Sequence, residues 1–312
     1  MASLARIKTN LLIAGLCLVA GCSKPIIPAG KPDPAQGPIL ASTWPLTTLA
    51  RDLLGDDLPV DCLVETGGDP LHWSPDPEAL TSLAQARAVL LNGAGLESWL
   101  MEVNLAPTRV LDLSAGFADS WIEYTGELQH SHGSRGAHDH VGFDPHVWMD
   151  PLLALEQARA LQEHTVSRGW ITAEVAAERG ARLEDRLREL DGLWAQVASA
   201  LDGQSLLANH DAYSYPARRH QISIVVVDVD PEGAWDAALE KELREAQSKH
   251  APRLMLFEVA PNNALAAHLK DELHLAPFVL SPAETPSNLD FIESVGGDLK
   301  RLLKELGTPS AK

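Results

Sequence analysis

Short apolar runs alternate with amphipathic stretches along most of this chain, the pattern of parallel sheets flanked by helices. Ile39–Ser42, Val60–Glu65, Ala88–Asn92 and Val110–Leu113 predict strands, with helices at Leu46–Leu54, Pro77–Gln85 and Leu96–Val103 between them. Pro77 stands where proline suits a first helical turn. The polar stretch 124–142 reads as a loop, and a helical region follows from 151. Leu183, Leu187, Leu190, Trp194, Val197 and Leu201 then recur at a spacing of three to four, one face of a long helix over 171–202. At 1.5 Å per residue it reaches roughly 45 Å, enough to run along a domain or join two.

After Gly203 the alternation resumes. Strands are predicted at Ser205–Ala208, Ser223–Val229, Leu254–Phe257 and Phe278–Leu280, and helices at 212–219, 235–249, 263–273 and 288–306. The expected fold class is α/β: two Rossmann-like lobes, each a mainly parallel sheet flanked by helices, joined by one long rigid helix. The expected division is an N-terminal lobe over 39–170, a linking helix over 171–202 and a C-terminal lobe over 203–312.

The first residues do not fit this pattern. Arg6 and Lys8 form a short positive region, and Leu11–Ala20 is an apolar run too short to span a bilayer. It ends in Val19-Ala20-Gly21-Cys22, which looks like a bacterial lipobox. The expectation is a signal peptide over 1–21 and a lipid on Cys22, in a protein exported and anchored facing the periplasm or the cell exterior. Residues 22–38, rich in proline and glycine, suit a flexible tether.

Composition narrows the partners. A formal net charge of −18 over 312 residues argues against nucleic acid and against peripheral electrostatic binding to a membrane. Of three cysteines, Cys17 is in the removed segment and Cys22 carries the lipid, which leaves Cys62 without a partner for a disulfide. Cys62 reads as a small buried strand residue.

Candidate chemistry lies in the histidines. His72, His146 and His210 are scattered through the chain, and two of them follow predicted strand ends, where open α/β sheets bind ligands. Three converging imidazoles suit Zn²⁺ or Cu²⁺, whereas Mg²⁺ and Ca²⁺ prefer oxygen. Read singly, each is also an ordinary loop histidine, and spacing alone does not join them. His130, His132, His138 and His140 crowd into HSHGSRGAHDH, a composition that signals weak, exchangeable metal contact.

Several segments resemble those of one family. Asp144-Pro145-His146-Val147-Trp148-Met149-Asp150-Pro151 is similar to the central DPHxWxDP motif of the zinc/manganese (cluster A-I) solute-binding proteins of ABC importers. Residues 209–215 (NHDAYSY) resemble its HxAFxY motif, and 68–77 (GDPLHWSPDP) with 88–100 (AVLLNGAGLESWL) resemble its first-ligand loop and NGxGLExWL segment. The resemblance extends over nearly all of the mature chain. It implies metal ligation by His146 and His210, and a His at 210 with a His-rich loop is similar to the zinc-uptake branch.

Two departures stand out. The family loop places His directly after Pro; here Leu71 holds that place and His72, the ligand expected from this loop, follows one residue later. The family's aspartate after the last strand is replaced by Leu280-Ser281-Pro282-Ala283-Glu284, so the fourth position falls to water, Glu284 or Glu258. The function implied is capture of Zn²⁺, with Mn²⁺ or Cu²⁺ as alternatives, and delivery by a monomer to an ABC permease. A metal-buffering lipoprotein and a zinc-dependent hydrolase are the rivals. The chain carries no HExxH or GxSxG motif for the second.

Overall fold

The structure is a computed structural model that describes residues 37–124, 129–131, 137–139 and 142–307. Strands β1 (Ile39–Ala41), β2 (Val60–Cys62), β3 (Ala88–Leu91) and β4 (Val110–Asp112) form one parallel sheet in the order β2-β1-β3-β4. Every residue of β3 is buried, as expected for a strand covered on both faces. Helices α1 (Trp44–Leu54) and α2 (Pro77–Gln85) connect its strands.

The second sheet repeats the plan. Strands β7 (Leu206–Ala208), β8 (Ile224–Val226), β9 (Leu254–Phe257) and β10 (Ala276–Val279) are parallel in the order β10-β9-β7-β8. Between the sheets run α3 (Pro151–Ser167) and α4 (Ala173–Leu201); α5 (Ser214–His220), α6 (Ala237–His250), α7 (Asn263–Leu273) and α8 (Phe291–Gly307) complete the second lobe. This is the two-lobed α/β fold that the apolar pattern predicts. In each sheet the chain leaves the first strand to one side and then returns to the other. The switch points lie between β1 and β3 and between β7 and β9, the places where such sheets bind ligands.

Helix α4 is the common wall. Thr172 caps its start by accepting from the Val175 N–H, and all six positions of the predicted apolar face are buried. One continuous core takes in Leu90 of the first sheet, Leu187 and Trp194 of α4, and Leu256 of the second. Arg186 on α4 pairs with Asp52 of α1 and with Asp290 just before α8. The lobes are thus tied through packing as well as through the chain.

Several predicted elements differ. Leu96–Val103 is a 3₁₀ turn over Ser98–Glu102, because Gly93 and Gly95 take left-handed φ of 78° and 84° and the Glu97 carboxylate turns back onto the Asn92 and Gly93 N–H groups. Gly93 is obligatory, since a Cβ there would lie 2.1 Å from the Ser114 hydroxyl. Only three residues of the apolar run Ser223–Val229 pair as strand; Val227 and Val229 instead fill a second core cluster under α6 and α7. The predicted loop 124–142 contains an antiparallel ladder of β5 (Gln129–Ser131) and β6 (Ala137–Asp139), with His130 directly opposite His138. Polar composition hides such a ladder, because neither of its faces shows apolar alternation.

Among the described residues, no helix is long and apolar enough to cross a membrane. Cys22 and the segment before it, with His132 and His140, lie outside the described residues. Cys62 is half-buried, and burial pushes its thiol above the ordinary range.

Candidate metal centre

The motif around His146 folds as a tight turn between the lobes. Asp144 Oδ1 accepts both the His146 backbone N–H at 2.9 Å and the imidazole Nδ1 at 2.8 Å. With Nδ1 committed to the carboxylate, Nε2 is the nitrogen presented to the site, the arrangement that orients metal-binding histidines. Val147–Met149 form a buried 3₁₀ turn, and Trp148 Nε1 donates to the Pro282 carbonyl of the other lobe at 2.9 Å. Asp150 caps α3 by accepting from Leu152 and Leu153, Pro151 takes the first helical position, and Arg219 grips the Asp150 carboxylate.

His210 follows β7 by two residues, and Glu258 follows β9 directly. Because β7 and β9 are neighbours, the switch point brings the two side chains together. Asn209 fixes the register there: its N–H donates to the Leu256 carbonyl, and its side-chain oxygen accepts from the Glu258 N–H. His210 Nδ1 lies 2.5 Å from Glu258 Oε1, and Nε2 lies 3.2 Å from Asp211 Oδ1.

The two imidazoles meet edge to face with centroids 5.3 Å apart. His146, His210 and Glu258 each offer one donor atom, all within 4.8 Å of one another, a group able to hold a metal ion. Glu284 also reaches this place, with Oε1 3.0 Å from His146 Nε2. The imidazoles are 6–7% exposed, whereas the Glu258 and Glu284 side chains are 20% and 25% exposed. Access from solvent is therefore past the carboxylates.

Charge in the cluster is distributed by these contacts. Burial disfavours an imidazolium at His210, but the carboxylates of Glu258 and Asp211 outweigh it and lift its pKa to about 9. Burial opposes the charge on His146 too, and hydrogen bonds to Asp144 and Glu284 hold its pKa well above the ordinary value. The metal-free site therefore holds protonated imidazoles against carboxylates at neutral pH.

His72 is placed elsewhere. Asp69 makes a turn by accepting from the Leu71 and His72 N–H groups. Leu71 packs against the main core, His72 is exposed, and Trp73 stacks edge-on against Trp99 at 5.2 Å. The structure thus brings together His146, His210, Glu258 and Glu284, and leaves His72 outside the group. Sequence reading does not single out Asp144 and Asp211, which flank the two imidazoles. An acid two residues before one His and one residue after the other is the signal that finds them. Tyr124, whose hydroxyl bonds to Asp211, has no such signal.

Comparison with known proteins bears on this arrangement. The zinc-binding lipoprotein AdcA of Streptococcus pneumoniae (strain ATCC BAA-255 / R6) is 25% identical over 291 residues, 91% of this chain and 56% of AdcA. The chain thus spans just over half the length of that relative. The high-affinity zinc uptake system protein ZnuA of Bacillus subtilis (strain 168) is 21% identical over 249 residues, 79% of this chain and 78% of that protein. Among solved structures, the Zn(II)-bound ZnuA-like domain of Streptococcus pneumoniae AdcA aligns with a TM-score of 0.73 at 21% identity, covering 88% of this chain and 100% of that one. The metal-dependent lipoprotein YcdH from Bacillus subtilis aligns with a TM-score of 0.73 at 19% identity, covering 86% of this chain and 98% of that one. The ZnuA family, described as zinc-uptake complex component A, periplasmic, matches residues 39–304, a span that takes in both sheets, α4 and the whole cluster; the chain belongs to that family.

Proposed function

We propose that this chain captures a Zn²⁺ ion on His146, His210 and the carboxylates of Glu258 and Glu284, and delivers it to the permease of an ABC importer. The observation that carries the reading is the pair of buried imidazoles 5.3 Å apart at a sheet switch point, faced by two partly exposed carboxylates. Two nitrogens with carboxylate oxygen suit a borderline ion and are foreign to the all-oxygen sites of Mg²⁺ and Ca²⁺. The relatives, a zinc-binding lipoprotein and a high-affinity zinc uptake system protein, support the choice of zinc and of transport.

Capture exchanges protons for the ion. Glu284 Oε1 and His146 Nε2 stand 3.0 Å apart, and an ion entering past the carboxylates takes the place of the imidazole proton between them. No bond of a substrate is made or broken. The chain works outside the cytoplasm, as a monomer, held to a membrane by lipid on Cys22. His130, His132, His138 and His140 make weaker, auxiliary contacts to metal. His72 stays outside the donor set, since the turn that buries Leu71 exposes its neighbour.

Native mass spectrometry of the purified chain, with Zn²⁺, Mn²⁺ and Cu²⁺ offered together at limiting concentrations, tests the choice of ion. One tightly held zinc per chain is expected; exclusive retention of manganese would overturn the zinc assignment.

A further inference from the structure

The segment Asn92-Gly93-Ala94-Gly95-Leu96-Glu97 contributes no donor to the metal cluster, yet it builds a buried polar network at the other switch point, between β1 and β3. The Glu97 carboxylate, 8% exposed, accepts from the Ser42 hydroxyl at 2.6 Å, the Asn92 N–H at 2.7 Å and the Gly93 N–H at 3.1 Å. Gln157 on α3 donates to the Asn92 side-chain oxygen at 3.1 Å. The outward end of this network is the Asn92 amide, which donates to the Pro145 carbonyl at 2.8 Å. That oxygen belongs to the peptide plane shared with His146.

A second grip comes from the opposite lobe. Tyr215 lies on α5, five residues beyond His210, and is fully buried. Its hydroxyl donates to the Asp144 carbonyl at 2.7 Å and accepts from the Ile122 N–H at 3.1 Å.

We propose that Asn92 and Tyr215 are positioning residues for His146, holding the successive Asp144 and Pro145 carbonyls of its turn from the two lobes. A peptide unit is planar, so gripping it at both edges fixes its orientation. The Pro145–His146 plane is held at its oxygen by Asn92 and at its N–H by the Asp144 carboxylate. Tyr215 holds the main chain of that same Asp144, whose side chain fixes the imidazole. Both donors are buried, where such hydrogen bonds are strong and their loss leaves unpaired groups. His210 and its carrier segment are thereby tied to the His146 turn through Tyr215. This inference rests on the reading that His146 holds the ion.

The test uses Tyr215→Phe, which keeps the ring, and Asn92→Ala, each alone and combined with His146→Ala. Zn²⁺ affinity is measured by chelator competition, extended to weak binding by calorimetry, and Co²⁺ absorption reports ligand geometry. Outer-shell losses typically weaken metal binding about 10–100-fold. That loss, with a changed Co²⁺ spectrum, is expected for each variant alone, and less than about a twofold further loss on top of His146→Ala. The same fold-loss in both backgrounds, or unchanged affinity of the single variants, would overturn the inference. If Asn92→Ala does not fold, Tyr215→Phe decides alone. If His146→Ala itself leaves affinity unchanged, the ligand assignment fails, and the positioning role fails with it.

Discussion

Replacing His146 or His210 with alanine is expected to weaken Zn²⁺ binding by at least about a thousandfold, or about 4 kcal/mol. Loss of a group that only orients a ligand costs about 10–100-fold, and loss of the ligand itself must exceed this. The substitution also strands the carboxylates of Asp144 and Glu284, or of Glu258 and Asp211, around a site with one imidazole fewer. His72→Ala is the contrast. His72 is exposed and outside the cluster, and surface changes of that kind stay within about 0.5 kcal/mol, less than about threefold in affinity. Chelator competition on the three variants decides. A His72→Ala loss matching that of His146→Ala would restore His72 to the donor set and refute the set proposed here.

Acidification is expected to discharge the site steeply. His210 titrates near 9 and His146 well above its ordinary value, so at neutral pH both carry protons that the ion must displace. Each displaced proton makes apparent affinity change about tenfold per pH unit, so two give up to about a hundredfold loss between pH 7 and 6. The sign is fixed by the direction of the shifts. A raised folded-state value means that the imidazolium–carboxylate contacts stabilise the metal-free protein fully below the unfolded value of 6.5. At His210 that stability is lost as pH rises through about 9. The zinc-free Tm therefore falls between those values while the increment added by zinc grows. Titration calorimetry in buffers of different ionisation enthalpy counts the protons released. Affinity that does not change between pH 6 and 8 would contradict the protonated resting state.

The course of the chain was legible wherever apolar pattern and terminal signals agreed. Pro77–Gln85, Leu254–Phe257 and Asn263–Leu273 match their predicted bounds, and Asp76 and Asn262 cap the starts of the two helices. The pattern failed where a side chain overrides it. Glu97 turns a predicted helix into a 3₁₀ turn by reaching back to two N–H groups, an event no periodicity encodes. His146 and His210 were visible as motif residues. Glu258 was visible only as a carboxylate at a strand end, because its meeting with His210 depends on β9 pairing with β7, a contact between residues far apart in sequence. His72 shows the reverse limit. One residue of register decides whether a turn points an imidazole or a leucine inward, and the Asp69 hydrogen bonds that set the register are invisible in composition.

The resemblance reached the family because it rests on spacings that the fold uses. In Asp144–Pro151 the first acid orients His146, the tryptophan locks onto the other lobe, the second acid caps α3 and the proline begins it. What it could not supply was the identity of the remaining donors, since the stretch 280–284 departs from the family pattern. In that stretch the Glu284 carbonyl accepts from the Trp44 N–H at 2.9 Å, and the Glu284 carboxylate lies 3.0 Å from His146 Nε2.

Anomalous diffraction at the zinc edge, from crystals of the chain loaded with one equivalent of Zn²⁺, locates the ion. One strong peak is expected about 2.0–2.1 Å from an imidazole nitrogen of both His146 and His210, with a carboxylate oxygen of Glu258 or Glu284 completing the contact. A zinc peak elsewhere, with the space between His146 and His210 empty, would contradict capture on these residues.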